Sequence, residues 1–159
     1  MVVDEALKQT ILVHHFPFEV SMLRDTFERL QHGPLEQQLA NALIESFALH
    51  ARNLIDFFCD TPSERKAIAA RHFTTGYTPF EGRRIKSSDE YAKINDQVAH
   101  LGYGRTTDAK RKFNLADRRT VAGWIETEIP VFLRHLLPNY QEAWDRADGA
   151  GMMVWKSKR

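Results

Sequence analysis

The chain has 159 residues, 43 % of them hydrophobic and 27 % charged, with a formal net charge of +1. That is enough for one substantial core, in the balance of an ordinary globular domain. No window nears the roughly 18 apolar residues of a membrane span, and the acid-bearing start MVVDEALKQT lacks a signal peptide's basic-then-apolar pattern. The single Cys59 excludes an intramolecular disulfide framework and a cysteine-rich zinc site. It ends an apolar run, so a buried packing thiol is expected. A cytoplasmic protein with no membrane association follows. The charge is unevenly spread: residues 1–64 carry 4 Lys/Arg against 10 Asp/Glu, and residues 65–159 carry 18 against 11. Such a split suits a polyanion-binding face, self-association through opposite patches, or simply helix faces that differ.

In chain order, Val3, Leu7, Ile11 and Leu12 recur at helical spacing. Pro17 disfavours helix at Phe16 and suits the first turn of a new one, so the first 33 residues are predicted as two short helices. The second covers residues 18–31, carries Val20, Leu23, Phe27 and Leu30 inward, and stops at Gly33-Pro34. Residues 35–59 run without Gly or Pro and are rich in helix formers. At about 100° per residue, Leu39, Leu43, Phe47, Ala51, Leu54 and Phe58 share one broad face. His50 points into that face, while Glu45, Arg52 and Asp56 line the opposite side. This is the expected central and most buried helix.

Thr61-Pro62-Ser63-Glu64 reads as a capping box opening a short helix to about Ala70. Residues 73–87 hold two Gly, one Pro and several Thr and Ser, the longest expected loop. Ser87 with Glu90 forms a second capping box, opening a helix over residues 89–101 that ends at Gly102-Tyr103-Gly104. A basic linker over 104–114 precedes a long helix, 115–137, whose inner face is Val121, Trp124, Ile125, Ile129, Phe132, Leu133 and Leu136. Pro130 is expected to kink or split it, and Pro138 to end it. Residues 139–147 suggest a last short helix. With no β-hairpin signal, the prediction is an all-α single-domain bundle over 1–147, with about four main helices, short extras and a tail at 148–159. Leu43, Phe47, Leu54, Phe58, Val98, Trp124 and Ile125 are the predicted core.

The chain lacks a phosphate-binding glycine loop, a nucleophile elbow, a His-Glu-x-x-His pair and the Glu-x-x-His pair of di-iron bundles. No metal and no cofactor is expected. Chemistry concentrates in KINDQVAHLGYGR, residues 93–105. On a regular wheel Tyr91, Ala92, Asn95, Val98 and Ala99 share the apolar face, making Asn95 an inward polar residue that must find partners. Lys93, Asp96 and His100 share the other flank, where the carboxylate of Asp96 can orient the imidazole or favour its protonated form. Six basic residues then fall between Arg105 and Arg119: those two, Lys110, Arg111, Lys112 and Arg118. Such a patch would take phosphates in a salt-dependent way, with Tyr103 and Phe113 placed to stack on bases. The structural alternative is a helix held in register by Asn95 and followed by a solvated basic linker.

The segment NDQVAH near the end of a helix in a small all-α bundle resembles the signature helix of the HEPN superfamily (higher eukaryotes and prokaryotes nucleotide-binding domains). HARNLIDFF and INDQVAHLGYGR together also resemble a group of bacterial proteins of this length. The resemblance spans roughly residues 35–137. It implies a bundle that pairs along this helix and either cleaves RNA without metal, in defence or toxin–antitoxin systems, or binds RNA, nucleotides or partner proteins. At the common spacing the signature's arginine falls at Asn95, or with one or two more residues between at Ile94 or Lys93, none of which is Arg, while His100 and the polar Asp96 match. Arg52 or Arg105 would then have to supply the cation. The resulting expectation is a homodimer that binds RNA or a nucleotide, with His100, Arg105, Asp96 and Arg52 as candidate catalytic residues. Asn95 and His50 are the structural polar residues. The alternative is a non-catalytic interaction module with a protein partner.

Overall fold

Asp4 caps the first helix by accepting from the Ala6 N–H, and the chain then stays helical to Gln31. The computed structural model describes residues 4–59, 68–79, 82–99 and 112–149. Helix α1 (Glu5–Thr10) passes into a π-helical turn, Ile11–His15, and on into α2 (Phe16–Gln31). Two separate helices were predicted here; the chain forms one, and Phe16 itself is α-helical. The wide turn is the reason. The Phe16 N–H reaches back five residues to the Ile11 carbonyl, and the turn loosens immediately before Pro17. It also brings Leu12, Phe16 and Val20 to the core side. Gly33, at φ +82°, turns the chain after α2.

Helix α3 (Gln37–Cys59) packs along α2 and also touches α4 (Gly82–Lys86) and α6 (Leu115–Arg134). Phe47, Ala48, Ala51, Leu54, Ile55 and Phe58 are buried as the apolar face predicts, and His50 turns inward with them. The first turns of α3 depart from the prediction: Leu39 is exposed and Leu43 only half-buried. Consequently α6, with nine buried residues in 20, is buried more completely than α3, with seven in 23. Pro130 neither splits nor ends α6. It lies on the exposed face with Glu126, whose carbonyl it cannot serve, so water is available to that carbonyl.

Helix α6 ends at Arg134, and Pro138 opens α7 (Pro138–Gly149) instead of only closing the helix before it. Two features refine the predicted 73–87 loop: a 3₁₀ turn at Ala70–His72 precedes it, and α4 lies within it. Among the described residues there is no strand, only an isolated bridge between Thr74 and Leu136. The fold is all-α. At its centre Phe132, fully buried, meets Phe16, Phe57, Phe58, Phe73 and Tyr77 at centroid distances of 5.2–6.4 Å. The predicted Thr61–Glu64 capping box, Val98 as a core side chain and residues 150–159 of the tail lie outside what is described.

Candidate functional site

Ser88, not Ser87, caps α5 (Asp89–Lys93): its hydroxyl accepts from the Tyr91 N–H at 3.2 Å. One residue later than predicted, this cap sets the register of everything that follows. After Lys93 the helix widens into a π-turn, Ile94–Ala99. A regular 100° wheel therefore stops applying, and the inward residue is Ile94, fully buried, while Ala92 is exposed. Asn95 is half-buried and Asp96 exposed.

The π-turn packs on α3, and the two elements meet in a polar cluster around Asp56. The Tyr91 hydroxyl donates to Asp56 Oδ1 at 2.7 Å, and Lys86 Nζ lies 3.0 Å from the same oxygen. Arg52 Nε lies 3.7 Å from Asp56 Oδ2, one helical turn away on the same helix. Burial, and then the bond to Asp56, holds the Tyr91 phenol above its ordinary range, an effect that the nearby Asn95 amide partly offsets. The Asn95 Oδ1 atom is buried and accepts no hydrogen bond among the described residues. Arg52, Asp56, Tyr91 and Lys86 thus form one network, with Asn95 beside Tyr91. Of the candidates read from sequence, the structure brings Arg52 and Asn95 to this cluster. Asp96 lies on the same turn, but with its side chain exposed.

Lys93 takes no part in this group: it pairs with Asp117 at 2.8 Å, a carboxylate whose other oxygen caps the start of α6 through the Asn114 N–H. Arg118, a predicted phosphate ligand, is buried and donates to the Phe113 carbonyl at 3.1 Å, and burial lowers its basicity. Phe113, predicted to stack on bases, is 5 % exposed and packs against Phe47. Lys112 and Arg119 are exposed. His100, Arg105, Lys110 and Arg111 lie outside the described residues.

A cleft of about 270 Å³ opens on the other side of Asp56. Ile11, Phe16, Leu54 and Phe57 give it apolar walls, and His15, Glu19, Asn53 and Asp56 give it polar edges. Glu19 Oε2 receives His50 Nδ1 at 2.8 Å and Asn53 Nδ2 at 3.1 Å, so the inward His50 is satisfied structurally. No family model, curated protein or solved structure matches the chain. Among the described residues, no three His, Cys, Asp or Glu side chains group to hold a metal ion, and no helix is long and apolar enough to cross a membrane.

Sequence reasoning missed Tyr91 and Lys86 as members of the cluster. Tyr91 reads as an apolar-face residue, and Lys86 falls in a predicted loop. The available signal was Asp56, a carboxylate one helical turn beyond Arg52 on the central helix.

Proposed function

We propose that this chain binds RNA or a nucleotide through the surface where α3 meets the π-turn of residues 94–99, and that binding outweighs cleavage. The observation that supports this reading is the network Arg52–Asp56–Tyr91, which lies beside Asn95 of the π-turn. It brings a half-exposed guanidinium to the turn that leads to His100, as the resemblance to a nucleotide-binding superfamily requires when its arginine position is Asn95. A guanidinium there offers planar donors to a phosphate. An imidazole at His100 would supply proton transfer near neutrality if cleavage occurs. Lys112, with Lys110 and Arg111 in sequence, would extend the cationic path. Arg118 is assigned a structural role.

The experiment is titration of labelled single-stranded RNA at low and moderate salt against wild type, Arg52→Ala, His100→Ala and a variant neutralised at Lys110, Arg111 and Lys112. Removing three phosphate contacts should make the log–log salt slope shallower by about 2. Arg52→Ala should weaken binding at every salt concentration. Equal, weak binding by all four proteins would remove the nucleic-acid reading. Cleavage by wild type and none by His100→Ala would make the chain a ribonuclease.

A non-catalytic module that docks a protein partner is the second reading. It is favoured by the exposed side chains of Phe18 and Leu49 on neighbouring helices and by the internal pairing of Lys86 and Lys93. Under that reading RNA affinity is absent and the His100→Ala protein behaves like wild type.

A further inference from the structure

A groove of about 360 Å³ runs between α2 and α6, away from the Asp56 cluster. Leu23, Phe27 and Ala122 line it with apolar surface, and Arg24, Glu126 and Arg119 supply its charges. Arg24 and Glu126 form a two-pronged pair across it, while Arg119 makes no ion pair among the described residues. An apolar lining with one internally paired carboxylate and guanidinium and a single further guanidinium suits a protein surface better than a polyanion. Gly123 lies on the groove's edge, in the middle of a 20-residue helix. There glycine costs the helix about 1 kcal/mol relative to alanine. A Cβ built on Gly123 would meet nothing within 4 Å among the described residues, so none of these neighbours requires its absence.

The charges around Gly123 are self-complementary in one arrangement only. Arg119 lies about 6 Å before Gly123 along the axis and Glu126 about 4.5 Å after it, and at about 100° per residue both fall on the groove side. Thr120 and Thr127 fall on the other side. Set a second α6 antiparallel across Gly123, and a two-fold axis brings each Arg119 opposite the other copy's Glu126. The threonines then meet threonines. A parallel arrangement would oppose Arg119 to Arg119. Glu126 has lone pairs left beyond those Arg24 uses, and the aliphatic stem of the incoming Arg119 can cover the apolar lining. We propose that the α2–α6 groove is the two-fold interface with a second copy of this chain, its α6 helices crossing antiparallel at Gly123. The absent side chain allows the two backbones to approach, and the Arg119–Glu126 pairs set the direction.

The test is sedimentation of the full chain across about 1–100 μM, a range matched to modest affinity. Wild type should form a dimer. Gly123→Arg should raise the dissociation constant at least tenfold. Gly123→Ala, melting at or above the wild-type temperature, shows that the position tolerates a side chain within the monomer. Arg119→Glu and Glu126→Arg should each be monomeric alone, and an equimolar mixture of the two should form the heterodimer, which restores both charge pairs. A wild type monomeric throughout, a Gly123→Arg protein that still dimerises, or dimers appearing only with added RNA would each overturn the assignment. None of these outcomes depends on the RNA-binding reading.

Discussion

Removing the Phe132 ring by Phe132→Ala attacks the point where five other rings converge. Phe132 is fully buried, and its ring neighbours come from α2, α3 and the segment after the 3₁₀ turn. Phe-to-Ala changes in cores cost about 3–5 kcal/mol, the higher values arising where the site cannot collapse. Rigid aromatic walls on several sides leave nothing able to slide into the space. Ring-edge contacts of this kind add to simple area burial. The expected loss is therefore about 4–5 kcal/mol, a large part of the roughly 5–15 kcal/mol that holds a domain folded. For a chain of this size it corresponds to a melting temperature lower by roughly 8–20 °C. Urea unfolding followed by far-ultraviolet circular dichroism measures it, with Phe132→Leu as a partner that should lose only about 1.5 kcal/mol. A Phe132→Ala loss below about 2 kcal/mol with an unchanged m-value would refute the closed aromatic centre.

Three further outcomes test other parts of the molecule. Tyr77→Phe removes a 2.6 Å donor from the fully buried Glu128 carboxylate and should cost about 1.5–3 kcal/mol in thermal or urea unfolding. Ser88→Ala should cost about 1 kcal/mol while Ser87→Ala costs almost nothing, because only Ser88 accepts from the first turn of α5. Burial pushes the Cys59 thiol up to about 12, so its reaction with a disulfide reagent near pH 8 should be slower in the folded chain than in urea by roughly a thousandfold. Because that folded value is raised, the thiol's contribution to stability is complete below pH 9 and is lost as the pH climbs towards 12. A Cys59→Ala variant should show a correspondingly shallower alkaline decline.

Periodicity was a sound guide wherever the helix was regular. Phe47, Leu54, Phe58, Trp124 and Ile125 are buried where a 3.6-residue repeat places them. It failed at two π-turns, because a five-residue reach rotates every later position away from the regular wheel. Ile94, the first residue of the second π-turn, is fully buried although the regular wheel left it off the apolar face. Leu39 was misjudged for another reason: an apolar stripe gives the face of a helix but not how far along it that face is covered. Arg118 and Phe113 read as a phosphate contact and a stacking ring because a one-dimensional charge run does not show that the start of α6 turns both inward. The Asp56 cluster was half legible. Arg52 and Asp56 sit four apart on one helix, but the tyrosine and lysine that join them arrive from segments 30 or more residues later.

The π-turn at Ile11–His15 carries a consequence for how this chain can change over generations. A helix that already holds one surplus residue can absorb a change of one residue locally, without shifting α2 and the bundle downstream. Deleting one residue within 11–15 should return the stretch to a regular α-helix. It would turn α1 by about 100° relative to α2 and break the contact between Glu5 and Asn139 that ties the first helix to α7. The rest of the fold, from Phe16 onward, would keep its register. Length variation is thus tolerated at this turn, whereas an equal change in the middle of α3 would rotate half the core out of place.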